Sequence, residues 1–192
     1  MLLAQGKVKV REIPLKTINY SLDFSKLFRQ IKRNRFVISD VIFRPVEPND
    51  KPRYDEFIHN YFSKETLPEE DMVSIPEYGT DSLYHVAVYQ NKIIGGVGIR
   101  KTSSNPIAIW QISGLSVLPH LRGYGIGERL LKTAISIIKE ENFIIYLDVF
   151  KDNRRAIKLY EKLGFDVPNE QEKNKLKNVT YIPDKLIMVL DR

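Results

Sequence analysis

Between Ile107 and Val149 the hydrophobic period of the chain changes twice, and this limits the folds open to it. Ile107 to Val117 is strand-like, with Gly114 a candidate bulge inside it and Pro119 marking its end. Ile126, Leu130, Leu131, Ala134, Ile135 and Ile138 then keep helical spacing, with Glu128, Arg129, Lys132 and Lys139 turned outward. Phe143 to Val149 is nearly all apolar, the pattern of a strand buried on both faces. Strand, helix and buried strand in succession make a β-α-β unit, so the chain belongs with α/β proteins.

The flanking segments extend that unit. Val41 to Val46 reads as a first strand, followed by a helix around Tyr54 to Phe62. Tyr84 to Tyr89 and Ile93 to Ile99 flank Gln90-Asn91-Lys92 as a tight antiparallel hairpin. A second clear helix runs from about Asn153 to Leu163, with Ala156, Ile157, Tyr160 and Leu163 inward and Gly164 placed to cap it. Leu186 to Leu190 supplies a last strand. The expected fold is one α/β domain over residues 41–192, a mixed, mostly antiparallel sheet flanked by helices, behind a basic N-terminal extension of residues 1–40.

Charge marks the same boundary. Residues 1–40 hold nine Lys or Arg against three Asp or Glu, which accounts for the whole net charge of +6; the remainder is neutral. Within the extension, Lys7 to Ile13 suits a short strand, and Phe24, Leu27, Phe28 and Ile31 draw an apolar stripe on a basic helix. That stripe must cover something: the main domain, a second copy in a homodimer, or else an anionic membrane surface or RNA. Residues 50–81 carry nine acids against Lys51, Arg53 and Lys64, a balance suited either to solvent or to steering a cationic ligand.

Several classes of function fall away. Apolar runs are far shorter than the ~18 residues that span a bilayer, and Gln5-Gly6-Lys7 leaves no apolar core for a secretory signal, so a cytoplasmic protein is expected. The absence of cysteine removes disulfides, thiolate zinc sites and an acyl-cysteine intermediate. Only three histidines occur, His59, His85 and His120, mutually remote in sequence, and no metal site is expected.

The most informative stretch is Leu115-Ser116-Val117, then Pro119 to Leu121, then Arg122-Gly123-Tyr124-Gly125-Ile126-Gly127, a strand running into glycines that open a helix. A helix N-terminus offers unpaired N–H groups and partial positive charge, and glycines let an anion approach the backbone. A P-loop would close with Gly-Lys-Ser/Thr, whereas Gly127 is followed by Glu128-Arg129. A dinucleotide fingerprint would need Gly-x-Gly-x-x-Gly, against Gly-x-Gly-x-Gly here, although Asp148 stands where a ribose-binding acid would.

Arg122 to Gly127 resembles the Arg/Gln-x-x-Gly-x-Gly/Ala pyrophosphate loop of the GNAT superfamily of N-acetyltransferases. Asn153, Ala156, Tyr160, Gly164 and Phe165 resemble that family's second signature, Asn-x-x-Ala-x-x-x-Tyr-x-x-x-Gly-Phe. The resemblance implies a GNAT-like acyl-CoA N-acyltransferase fold and direct attack of an amine on the thioester of acetyl-CoA. It implies that Leu115, Ser116 and Val117 present backbone groups to the pantetheine arm, and that Arg122, Gly123, Tyr124, Gly125, Ile126 and Gly127 hold the pyrophosphate. Asn153 would bond the pantetheine arm, cap its helix, or do both. Tyr160 matches the general acid that protonates the departing thiolate, with a core tyrosine as the alternative.

The base is less plainly marked. Many relatives carry Glu on the strand before the loop, where this chain has Ser113 and Gly114. Asp148 resembles the acidic base of ribosomal-protein N-terminal acetyltransferases and is otherwise a structural acid at a strand end. His85 and His120 read as core or surface histidines. The acidic segment, Glu65, Glu69, Glu70, Asp71 and Glu77 included, favours a cationic small amine or polyamine as acceptor. A protein N-terminus or lysine, or a non-catalytic CoA-binding interaction domain, are the alternatives.

Overall fold

The computed structural model describes residues 36–62, 82–104, 107–179 and 181–191. The expected strand at Lys7 to Ile13, the helix from Phe24 and the acids from Glu65 to Glu77 lie outside the described residues.

Ten main elements follow in chain order: β1 (Ile42–Pro45), α1 (Lys51–Phe62), β2 (Ser82–Tyr89), β3 (Lys92–Ser103), β4 (Ala108–Val117), α2 (Ile126–Ser136), β5 (Phe143–Phe150), α3 (Arg154–Lys162), α4 (Glu170–Lys175) and β6 (Lys185–Asp191). The strands form one sheet in sequence order. Every neighbouring pair is antiparallel except β4 with β5, which α2 connects as a parallel crossover. This is the mixed, helix-flanked sheet that the periodicity predicts.

Local chemistry explains each junction. The β2–β3 turn is Gln90-Asn91, with φ of +47° and +61°; two left-handed residues match the twist of a two-residue hairpin. Asp50 closes a capping box with Glu47 before α1, and Arg44 of β1 donates to its carboxylate, tying strand to helix. That guanidinium holds the Asp50 carboxyl below the usual carboxylate range despite its burial. α2 buries Ile126, Leu130, Leu131 and Ala134, and ends at Ser136, short of the expected Ile138, which a further turn still carries into the core.

α3 closes as a Schellman motif. Gly164 has φ of +91°, its N–H donates to the Glu161 carbonyl, and the Phe165 N–H donates to that of Tyr160. The Gly-Phe pair of the second signature is therefore a helix stop that drives Phe165 into the core.

Helices cover both faces of the sheet. Leu130 of α2 comes within 3.2 Å of the point where a Gly95 Cβ would stand, and Tyr54 of α1 within 3.2 Å of that for Gly96. Adjacent strand residues face opposite ways, so α1 and α2 lie on opposite sides. A second, smaller cluster of Ile144, Tyr146, Ile187 and Val189 is closed by Leu176, just after α4. The helix α4 is not anticipated by the periodicity, being too short to show one; its capping box, Asn169 with Glu172, is the signal that was available. Among the described residues no helix is long and apolar enough to cross a membrane.

Candidate active site

The site begins where two strands part. β4 and β5 pair from Ala108↔Phe143 to Gln111↔Tyr146 and no further, whereas β4 stays paired with β3 out to Gly95↔Val117. The register slips beside Gly114, whose φ is +60°, as expected of a bulge. Beyond Gln111 the β5-facing edge of β4 is left without its neighbour, and its backbone groups face a notch rather than a ladder. Leu115 and Val117 line that notch; Ser116 is buried, its hydroxyl donating to the Gly114 carbonyl at 3.1 Å.

Past Val117 the chain makes a single 3₁₀ turn, Pro119–Leu121, and enters the glycine loop. Arg122 folds back so that its Nε donates to the Val117 carbonyl at 3.1 Å, fastening the start of the loop to the strand. Gly123 and Gly125 have φ of +94° and +85°, which L side chains enter only at a cost. Gly125 is the N-cap of α2, and the first helical bond there runs from the Arg129 N–H to the Gly125 carbonyl. The N–H groups of the preceding residues point out of the helix end.

These elements enclose a cavity of about 450 Å³ lined by Leu115, Val117, the loop residues Arg122, Gly123, Gly125, Ile126 and Gly127, and Asn153. So eight of the ten expected cofactor-binding residues meet at one surface. Tyr124 stands outside the lining, half-exposed, its ring edge-on to Phe36 at 5.0 Å between centroids. Asn153 caps α3, accepting from the Ala156 N–H at 3.1 Å through Oδ1, which leaves its amide NH₂ available on the cavity side. The cap is thus compatible with the ligand role expected from the sequence.

Besides Ala156, four further lining residues, Arg155, Lys158, Leu159 and Lys162, come from α3. They repeat at i, i+3, i+4 and i+7, a stripe beside the inward one, and this spacing was the signal in the sequence. Glu128 also lines the cavity. Lys132 and Lys162 donate to its carboxylate at 2.8 and 2.6 Å and hold its pKa down at about 2.

The two expected catalytic residues sit apart from this lining. Tyr160 is on the buried side of α3, 7% exposed, its ring tilted against Phe165 at 6.0 Å. Asp148 is on β5, two residues past the end of the β4 ladder, and bonds Lys185 of β6 at 3.0 Å with 35% of its side chain exposed. Ser113, one of the two residues standing where the family resemblance would place a Glu, hydrogen-bonds Tyr84, whose phenol pKa burial pushes up. His85 is buried in β2, where desolvation lowers its pKa.

The arrangement is that of an acyl-CoA-dependent transferase. The model of the acetyltransferase (GNAT) family matches residues 49–165, and the chain belongs to that family of acetyl-CoA-dependent N-acetyltransferases. It is 24% identical over 144 residues to the uncharacterized N-acetyltransferase YjgM of Escherichia coli (strain K12), covering 69% of this chain and 86% of that one. Shorter stretches resemble N-alpha-acetyltransferase RimI of Mycobacterium tuberculosis, 32% over 73 residues, and a probable spermine N(1)-acetyltransferase of Bacillus subtilis subsp. natto, 37% over 57. Those two alignments cover 38% and 29% of this chain, and 45% and 38% of the relatives. Among solved structures, a GNAT-family acetyltransferase of Staphylococcus aureus Mu50 superposes with a TM-score of 0.62 at 16% identity, covering 79% of this chain and 98% of that one. The PaiA N-acetyltransferase of Thermoplasma acidophilum, solved with coenzyme A, gives 0.60 at 17% identity, covering 79% and 99%.

Acetyl-CoA is the acetyl donor, and the residues present suit it. An open helix N-terminus, glycines and four cationic side chains fit a diphosphate, and an unpaired strand edge fits an amide-bearing arm.

Proposed function

We propose that the chain acetylates a cationic small amine or polyamine directly, with Asp148 taking the ammonium proton and Tyr160 protonating the departing thiolate. The observation that carries this reading is the parting of β4 from β5 two residues before Asp148, so that Asp148 and the cavity-lining Leu115 and Val117 all lie past the last β4–β5 pair. A primary ammonium has a pKa near ~10.4, so its proton must leave before nitrogen can attack the thioester carbonyl. The new C–N bond forms as the C–S bond breaks, and the thiolate sulfur takes the phenolic proton. Holding both reactants in line supplies much of the rate.

The acidic balance of residues 50–81 and the likeness to a probable spermine N(1)-acetyltransferase support a polycationic acceptor. Asp148, five residues before Asn153, supports a second reading, a protein N-terminal amine, as does the likeness to RimI. Because acetyl-CoA is an intracellular metabolite, the donor fits the cytoplasmic location expected from the sequence.

The test is CoA-thiol release from acetyl-CoA with polyamines, other small amines and basic peptides, using Tyr160→Phe as control. Turnover of small amines is expected, reduced about 10²-fold in Tyr160→Phe with CoA affinity unchanged. Turnover of peptides alone would overturn the small-amine reading in favour of the second, and an unaltered Tyr160→Phe rate would remove the tyrosine from the mechanism.

A further inference from the structure

The match to the family model starts at residue 49, yet the glycine loop is gripped by chain that precedes it. Phe36 is buried, packing edge-on against Tyr124 at 5.0 Å and against Tyr89 of β2 at 5.2 Å. Ile38 places its Cδ1 3.4 Å from where a Gly125 Cβ would stand. Phe43 of β1 lies under the Arg129 guanidinium at 4.7 Å, in the second turn of α2. Three residues within eight of the leading segment thus meet three within six of the loop and helix start.

A loop with glycines at 123, 125 and 127 has more backbone freedom to lose than most. If it binds through its N–H groups, whatever fixes it beforehand lowers the entropy lost on binding. Arg122 fastens the start of the loop to β4. On the outer side the contacts are Phe36 on Tyr124 and Ile38 on Gly125.

We propose that Phe36 and Ile38 are positioning residues for acetyl-CoA: the segment in front of the family's domain clamps the glycine loop in its binding conformation through Tyr124 and Gly125. The proposal rests on the reading that this loop holds the pyrophosphate. It also gives the junction with the basic extension a role, since residues 36–40 then belong to the cofactor site rather than to a separate appendage.

The experiment is calorimetric titration of the full chain with CoA and with pantetheine, which lacks the pyrophosphate. Phe36→Ala should raise the CoA Kd about tenfold and leave pantetheine binding within about twofold, while Phe36→Leu restores most of the CoA affinity. Tyr124→Ala, at a half-exposed position with little folding risk, should weaken CoA similarly and add little on top of Phe36→Ala, because both break one contact. Should Phe36→Ala not fold, Ile38→Ala takes its place in the same comparison. A lower Tm with unchanged CoA Kd, or effects of the two variants that simply multiply, would overturn the clamp. Gly123→Ala separates the two ideas: weakened CoA there but not in Phe36→Ala rejects the clamp alone, and no change in either rejects the loop reading beneath it.

Discussion

Gly123 and Gly125 share a backbone problem but face different neighbours, and alanine at each position separates strain from binding. An L residue at φ of +94° or +85° costs about 1–2 kcal/mol. Alanine also narrows the unfolded ensemble, which offsets about 0.4–1 kcal/mol of that. Each substitution should therefore destabilise by about 1 kcal/mol net, or about 2–4 °C in Tm for a chain of this size. The new methyl at 123 would lie 3.4 Å from Arg155 Nη2, between the loop and a cationic wall of the cavity. At 125 it would lie 3.4 Å from Ile38 Cδ1, the end of a side chain that can give by a few tenths of an ångström. Gly123→Ala should thus raise the CoA Kd about tenfold, about 1.4 kcal/mol, and Gly125→Ala by less, about threefold. Thermal melts without ligand and titration with CoA read the two quantities separately. Equal Tm losses with equal Kd losses would refute the reasoning, since the direction of the methyl would then be irrelevant.

Two further outcomes follow from charge. Asp148→Asn breaks a partly exposed pair with Lys185, which costs under about 1 kcal/mol, so the protein stays folded; turnover should fall about 10²-fold across about pH 6–9, and retention of full activity there rejects Asp148 as base. Asp50→Asn strips Arg44 of a carboxylate that is itself 2% exposed, and should cost about 2–3 kcal/mol at pH 7 by denaturant melts. Because the folded state holds that carboxyl below its usual value, its contribution is full above the ordinary carboxylate range and fades as pH falls through and below it. The gap between wild type and Asp50→Asn should therefore narrow at about pH 3 and persist at pH 7; a gap independent of pH would show that packing, not charge, is what is lost.

Apart from α4, the strands and helices were legible because each carries a period long enough to read. Ile126 to Ala134 and Phe143 to Val149 bury the faces that their spacing implies, and Gln90-Asn91 makes the expected hairpin. What sequence could not show is where a ladder stops. Nothing in Ile107 to Val117 or Phe143 to Val149 tells that pairing ends at Gln111↔Tyr146; that follows from the bulge at Gly114 and from β4 keeping its bonds to β3 instead. Asp148 was visible as an acid near a strand end, but Lys185 is 37 positions away and meets it only through the antiparallel β5–β6 register. Phe36 read as part of the extension because charge, which marked the boundary near residue 40, carries no information about an aromatic ring packed between Tyr89 and Tyr124.

Glu128 shows how the remaining charges are organised. A carboxylate in the first turn of a helix suits the dipole there, yet this one lines a cavity suited to a diphosphate and would repel it if left alone. It is not left alone: Lys132 one turn along α2 and Lys162 at the end of α3 both donate to it. The pair with Lys132 is an ordinary i, i+4 contact of modest value. The pair with Lys162 crosses from one helix to the other, and so bears on the separation of α2 from α3, the two helices that wall the cavity. The acid therefore acts as a strut whose charge is covered from two sides, in a cavity whose other charged lining residues, Arg122, Arg155, Lys158 and Lys162, are all cationic.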